Sequence, residues 1–177
     1  TFTSFTPMVS LKRNFNNGMI YALYSEGFLT GGFNTEINSS LPAVASLLTY
    51  NPENVANYEL GYKGSMRDGA VQISADIFYM DYTNQQRSQN LPNPDFAFGA
   101  DDPIGVVQNV ASSAIYGVEF EMRAVPWDGG YMSLDVGYLS NEYDNYSYVD
   151  PTSGALKDFS NVLINDMTPD FTANLAI

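Results

Sequence analysis

Residues 57–86 read NYELGYKG, SMRDGA and VQISADIFYMDYTNQQ. In the first run Tyr58, Leu60 and Tyr62 alternate with Glu59, Gly61 and Lys63. In the last, Val71, Ile73, Ala75, Ile77 and Tyr79 alternate with Gln72, Ser74, Asp76, Phe78 and Met80. Strict alternation places successive side chains on opposite faces of a strand. Asp68-Gly69 between the runs is a hairpin signal, because glycine accepts the positive φ of a tight turn. The stretch is therefore a β-hairpin with one apolar and one polar face. Its second strand is about a dozen residues long, against a usual mode of about five or six. Strands of about ten residues with this alternation are what a membrane barrel requires.

Outward from this hairpin the same pattern recurs. Phe5 to Lys12 makes a first strand, with Val9 and Leu11 opposite Ser10 and Lys12, and Asn17-Gly18 marks a turn after it. Met19 to Glu26 is strand-like, but both of its faces carry apolar residues, so alternation leaves its inward side open. Tyr116, Val118, Phe120 and Met122 alternate with Gly117, Glu119, Glu121 and Arg123. A short turn, Pro126 to Gly130, leads to Met132, Leu134, Val136 and Tyr138, which alternate with Ser133, Asp135, Gly137 and Leu139. Phe171, Ala173, Leu175 and Ile177 alternate at the end of the chain. Three long stretches, 27–54, about 87–112 and about 142–167, are expected to be irregular. That makes about seven long antiparallel strands, joined alternately by short turns and long loops, which is the signature of an outer-membrane barrel. The fold class is all-β: a transmembrane antiparallel β-barrel, present as an incomplete arc. A soluble, secreted all-β module binding a glycan or a protein is the alternative, although such a module has no reason to gather its long loops at one end.

Composition narrows the chemistry. The 177 residues include no cysteine and no histidine. Thiolate nucleophiles, Ser-His-Asp catalysis and His-based metal motifs are thereby excluded. The net charge of −13 argues against nucleic acid as a partner. No apolar run approaches the roughly 18 residues of a membrane helix. Tyrosine is the leading aromatic, with 13 copies, and its amphipathic ring favours membrane interfaces. No enzyme activity and no cofactor are expected.

Several stretches resemble the barrel of TonB-dependent outer-membrane receptors of the siderophore type. They are YALYSEGFLTGGFN (Tyr21 to Asn34), YNPENVANYELGYKG (Tyr50 to Gly64), ADIFYMDYTNQQ (Ala75 to Gln86), SAIYGVEFEMRAVP (Ser113 to Pro126) and MTPDFTANLAI (Met167 to Ile177). The resemblance implies a bacterial outer-membrane location and a barrel of about 22 strands around a plug. It implies import of a scarce nutrient, a ferric siderophore first among them, energised by the TonB complex, with outer-membrane lipid as the other partner. The plug, the TonB box and the closing strands are expected to lie outside residues 1–177, which would form a partial barrel domain.

Two groups of residues are candidates for function. Glu59, Lys63, Asp76, Glu119, Glu121 and Arg123 are expected to face the lumen, where a wet interior tolerates and pairs charge. The aromatics Phe28, Phe33, Tyr50, Phe96, Phe98, Tyr146 and Tyr148 are expected in the long loops, where they could grip a flat ligand or pack the loops together. The loop acids Asp95, Asp101, Asp102, Glu142, Asp144, Asp150 and Asp158 match no calcium-loop pattern, and no metal site is expected. Lys12, Arg13, Lys63, Arg67 and Arg123 fall at or near the short turns, which leaves the opposite mouth acidic and averse to a bare anion.

Overall fold

The computed structural model describes residues 2–35, 46–91, 104–149, 155–160 and 169–177. Its strands are β1 (Met8–Phe15), β2 (Gly18–Leu29), β3 (Gly32–Phe33), β4 (Thr49–Tyr50), β5 (Glu53–Met66), β6 (Val71–Leu91), β7 (Ile104–Ala124), β8 (Met132–Val149), β9 (Leu156–Asp158) and β10 (Phe171–Ala176). One open antiparallel sheet carries the order β1-β2-β5-β6-β7-β8-β10, with β9 on β8, while β3 and β4 form a separate small hairpin. The seven-strand arc expected from alternation is therefore present.

The register makes the two faces explicit. The rung Leu11, Ala22, Leu60, Ile77, Val118 and Tyr138 runs from β1 to β8 on one face. Leu60, Ile77, Val118 and Tyr138 are all about half exposed on it. One rung nearer the long connections lie Tyr24, Tyr58, Tyr79 and Tyr116. Their rings approach in sequence, with centroids 5.1 Å apart for Tyr24–Tyr58 and 6.4 Å for Tyr58–Tyr79. The next rung on this face holds Glu26, Asp81 and Glu142. The phenols of Tyr24 and Tyr116 donate to the carboxylates of Glu26 and Glu142. An apolar band capped by tyrosines and then by carboxylates is the profile of a lipid-facing surface and its aromatic girdle. From Tyr58 to Met66 is about 27 Å of strand at about 3.4 Å per residue. At a tilt near 40° that is about 21 Å of height, close to the apolar band of about 25 Å in outer-membrane barrels.

The strands outrun the expectation. β6 and β7 have 21 residues each, about twice the 9–11 that cross a membrane. The stretch 87–112, read as irregular, is strand at both of its ends: Arg87–Leu91 pair with Ile104–Gln108. Val106, Val107 and Val110 explain this, since β-branched side chains favour pleated backbone. Likewise β8 continues through Tyr146 and Tyr148 to Val149 and pairs there with β9. β2 runs on through Phe28 to Leu29. Phe96 and Phe98, with Asp95, Asp101, Asp102 and Asp150, lie outside the described residues.

The short turns differ in how they use glycine. Between β5 and β6 the backbone is left-handed at Arg67, Asp68 and Gly69, with φ of 54°, 54° and 91°, as a primed turn demands. At the β1–β2 turn the corner residues are Asn16 and Asn17, one position earlier than the expected Asn17-Gly18, and Gly18 opens β2 opposite Phe15. Here glycine serves close approach: a Cβ on Gly18 would come within 2.7 Å of the Lys63 carbonyl oxygen and 3.0 Å of Gly64 Cα.

Candidate functional site

The polar face gathers the six residues read from the sequence as one charged group. Neighbouring rungs run Met19–Lys63–Ser74–Glu121–Asp135, then Tyr21–Gly61–Asp76–Glu119–Gly137, then Leu23–Glu59–Phe78–Gly117–Leu139. Arg123 sits one rung towards the short turns, between Gln72 and Ser133. Paired residues on adjacent strands share a face, so strand order alone brings these side chains together.

Two contacts organise this face, and each brings in a residue outside the six, Tyr21 in one and Asp135 in the other. The Tyr21 hydroxyl donates to Glu59 Oε1 at 2.6 Å, and Lys63 Nζ lies 5.7 Å from the Tyr21 ring centroid. The Tyr21 ring lies across Gly61, where a Cβ would collide with it. An aromatic covering a cross-strand glycine shields backbone that would otherwise be bare. Pairing with β5 also settles which side of β2 is which: Met19, Tyr21, Leu23 and Ser25 share the polar face. Asp135 is the second addition. Arg123 Nη1 donates to its Oδ1 at 2.8 Å, while Arg123 Nη2 and Glu121 Oε2 are 4.0 Å apart.

Tyr21, Glu59, Lys63, Asp76, Glu119 and Glu121 line much of a concavity of about 520 Å³. Four carboxylates and one ammonium make it electronegative, suited to cations and hydrogen-bond donors and hostile to bare anions. Among the described residues no three or more acidic side chains come together as a metal-holding group.

The aromatic candidates disperse. Phe28 shares the girdle face of β2 with Tyr24 and Glu26. Tyr50 packs its ring across Gly32, its partner in the β3–β4 hairpin. Tyr146 meets Tyr143 edge-on at 5.3 Å. Tyr148 stacks on Phe159 at 5.7 Å and packs against the small core of Leu47 and Val106. Phe33 is different, for it stands 71% exposed. Arg87, at the start of the stretch expected to be irregular, is instead a β6 residue whose guanidinium donates to the Tyr143 hydroxyl at 3.0 Å.

The long-connection end is held by amides that sequence reasoning missed, because asparagine and glutamine there look like ordinary loop residues. Gln86 Nε2 donates to the carbonyls of Thr30 and Asn51 at 3.0 and 3.1 Å. Asn109 Nδ2 donates to the carbonyls of Asn51 and Asn84 at 2.9 and 2.7 Å, and its Oδ1 accepts from the Asn51 amide at 2.6 Å. Asn34 joins them, with 8% of its surface exposed.

The family model described as TonB dependent receptor-like, beta-barrel matches residues 1–177.

Proposed function

Since the chain belongs to the TonB-dependent receptor β-barrel family, we propose that its parent protein imports a ferric siderophore. The family resides in the bacterial outer membrane and carries out TonB-dependent transport, which leaves no place for a soluble glycan- or protein-binding module. The substrate reading is supported by the siderophore-receptor character of the runs Tyr21 to Asn34 and Tyr50 to Gly64. The observation that carries it into the structure is Phe33, an exposed aromatic at the long-connection end, where an incoming ligand would first meet the barrel. Exposed aromatic rings give large contact area at low entropy cost.

In this reading the polar face lines the lumen. Glu59, Lys63, Asp76, Glu119, Glu121 and Arg123 border the path beside a plug supplied by other parts of the parent. TonB pulling on that plug provides the energy, and this segment provides wall. The electronegative face disfavours a bare anionic chelate and suits a neutral or cationic one.

The test is uptake of radioactive iron by iron-starved cells whose only receptor is the parent, supplied in turn with ferric hydroxamate, catecholate and carboxylate complexes. At least one complex should be taken up, and uptake should stop when TonB is removed. Uptake of none of them, with TonB-dependent uptake of a cobalamin or an oligosaccharide, would overturn the substrate and keep the family. Phe33→Ala should weaken binding of the transported complex about tenfold or more, as truncating an anchoring aromatic does.

A further inference from the structure

We propose that Asn34 is a fastening residue: its side chain bonds to β7 as a strand residue would and locks the base of the β2–β5 connection onto it. Its Nδ2 donates to the carbonyl oxygens of Leu47 at 2.7 Å and Val107 at 2.8 Å. Its Oδ1 accepts from the Val107 amide at 2.8 Å. Its own backbone N–H donates to the Leu48 carbonyl at 2.9 Å. Engaging both the N–H and the C=O of one residue is how a strand residue pairs with its neighbour in an antiparallel ladder. Here a single amide side chain does so across 73 residues of sequence.

The surroundings fit a permanent joint. Asn34 is almost wholly buried, and an amide in that state is costly unless every group is paired, as it is here. Beside it Leu47 and Val106 form the apolar cluster of this end, flanked by Leu48, Ile104 and Tyr148. Gln86 and Asn109 hold the two ends of the same connection, at Thr30 and Asn51. The base of the connection and the outer part of β7 therefore move as one body. Phe33, one residue before Asn34, is consequently presented on a rigid backbone, the arrangement that lowers the entropy cost of binding.

Amide hydrogen exchange on the full-length receptor in detergent or lipid nanodiscs tests this without any ligand. In the wild type the Val107 amide should be as protected as mid-strand amides of β7. In Asn34→Ala, exchange at Val107 and at the residue 34 amide should rise at least tenfold, with mid-strand amides of β5 and β6 unchanged. Asn34→Asp is nearly isosteric and keeps an acceptor for the Val107 amide, but it turns an oxygen towards the Leu47 and Val107 carbonyl oxygens, so it should raise exchange at the residue 34 amide. Loop-like exchange at Val107 in the wild type overturns the proposal, even where a variant fails to assemble. So does wild-type protection at both amides in both variants, which would assign the hold to packing. An equal rise at the mid-strand amides would mean general loosening and would overturn it too.

Discussion

The half of the sheet near the short turns and the half near the long connections are built differently. From Val71 to Tyr82, β6 pairs with β7 in unbroken register, and β5 pairs with β6 from Asn54 to Met66 without a slip. Above Tyr82 the β6–β7 register shifts twice, and Asn84 turns left-handed at φ 53°. β7 and β8 slip as well, between Ser112 and Ser113. In the lower half period-2 alternation sets the contacts between an apolar and a polar face, and a one-residue slip would exchange the two faces. The upper half projects beyond the apolar band, so nothing punishes a slip. There the chain is fixed instead by individual side chains: Asn34, Gln86 and Asn109 bonding to backbone far away in sequence. A repeating environment writes a repeating pattern, whereas a solvated rim is specified one bond at a time.

The widest contrast between the halves is in access. The turns at residues 16–17, 67–70 and 126–130 are expected in the periplasm and the long connections outside, from their lengths. Ser147→Cys in the parent protein should label with an impermeant thiol reagent on intact cells, and Ser65→Cys should not. The reverse pattern would invert the orientation and move the acidic girdle rim to the inner leaflet.

The next largest effect tests the lower half. Ile77→Arg puts a charge at mid-band on the apolar face and should cost about 2–4 kcal/mol, while Ser74→Arg enters the polar face and should cost much less. Denaturant midpoints of the two refolded barrels should therefore separate. Coincident midpoints would mean that the faces are misassigned and that alternation does not govern this half.

Packing defects should divide the halves on a smaller scale. A Cβ on Gly117 would strike the Tyr138 carbonyl and lie 2.7 Å from the Phe78 ring, which already covers that glycine. Gly117→Ala should cost about 1–3 kcal/mol of whole-barrel stability through overpacking. Asn109→Ala removes hydrogen bonds at the rim and should cost about 1 kcal/mol. That loss should register as faster amide exchange at Asn51, with the unfolding midpoint nearly unmoved. A matching drop in midpoint would show the rim to be as integral as the lower sheet.

What could be read from residues alone follows this division. Leu60, Ile77 and Val118 on one side, with Glu59, Asp76 and Glu119 on the other, were legible because their alternation is strict. Tyr21 was not, since Met19 to Glu26 is apolar on both faces; only pairing with β5 places its hydroxyl on Glu59. Arg87 and Val106 to Ser112 were read as loop because the flanking prolines and aspartates outweighed their strand propensity. Asn34 closes the run Tyr21 to Asn34, but its bonding role was not legible there. Its partners are 13 and 73 residues away, and no local rule announces a bond of that range.

The smallest effect lies at the outermost point of the rim, where β9 pairs with the end of β8. Asp158 accepts from the Ser160 hydroxyl at 2.6 Å and from the Ser160 amide at 2.9 Å. These bonds, the hydroxyl's first, hold its carboxyl below the usual carboxylate range, with partial desolvation opposing them. The same hydroxyl oxygen accepts from the Tyr146 amide at 2.8 Å, so the carboxylate helps to seat the strip that carries the Phe159–Tyr148 stack. A carboxyl group depressed in the folded state favours folding when ionised. Its contribution is complete above the ordinary aspartate value of about 3.9 and disappears as the pH falls through the depressed value. The strip should thus be indifferent to pH between about 5 and 8 and loosen only in strong acid. A carbon-13 titration of the Asp158 carboxyl should give a midpoint below that of an ordinary aspartate. Ser160→Ala, which removes the hydroxyl and keeps the amide, should raise that midpoint part of the way back. An unchanged midpoint in the variant would assign the shift to the backbone amide, and the rim would then owe nothing here to a side chain.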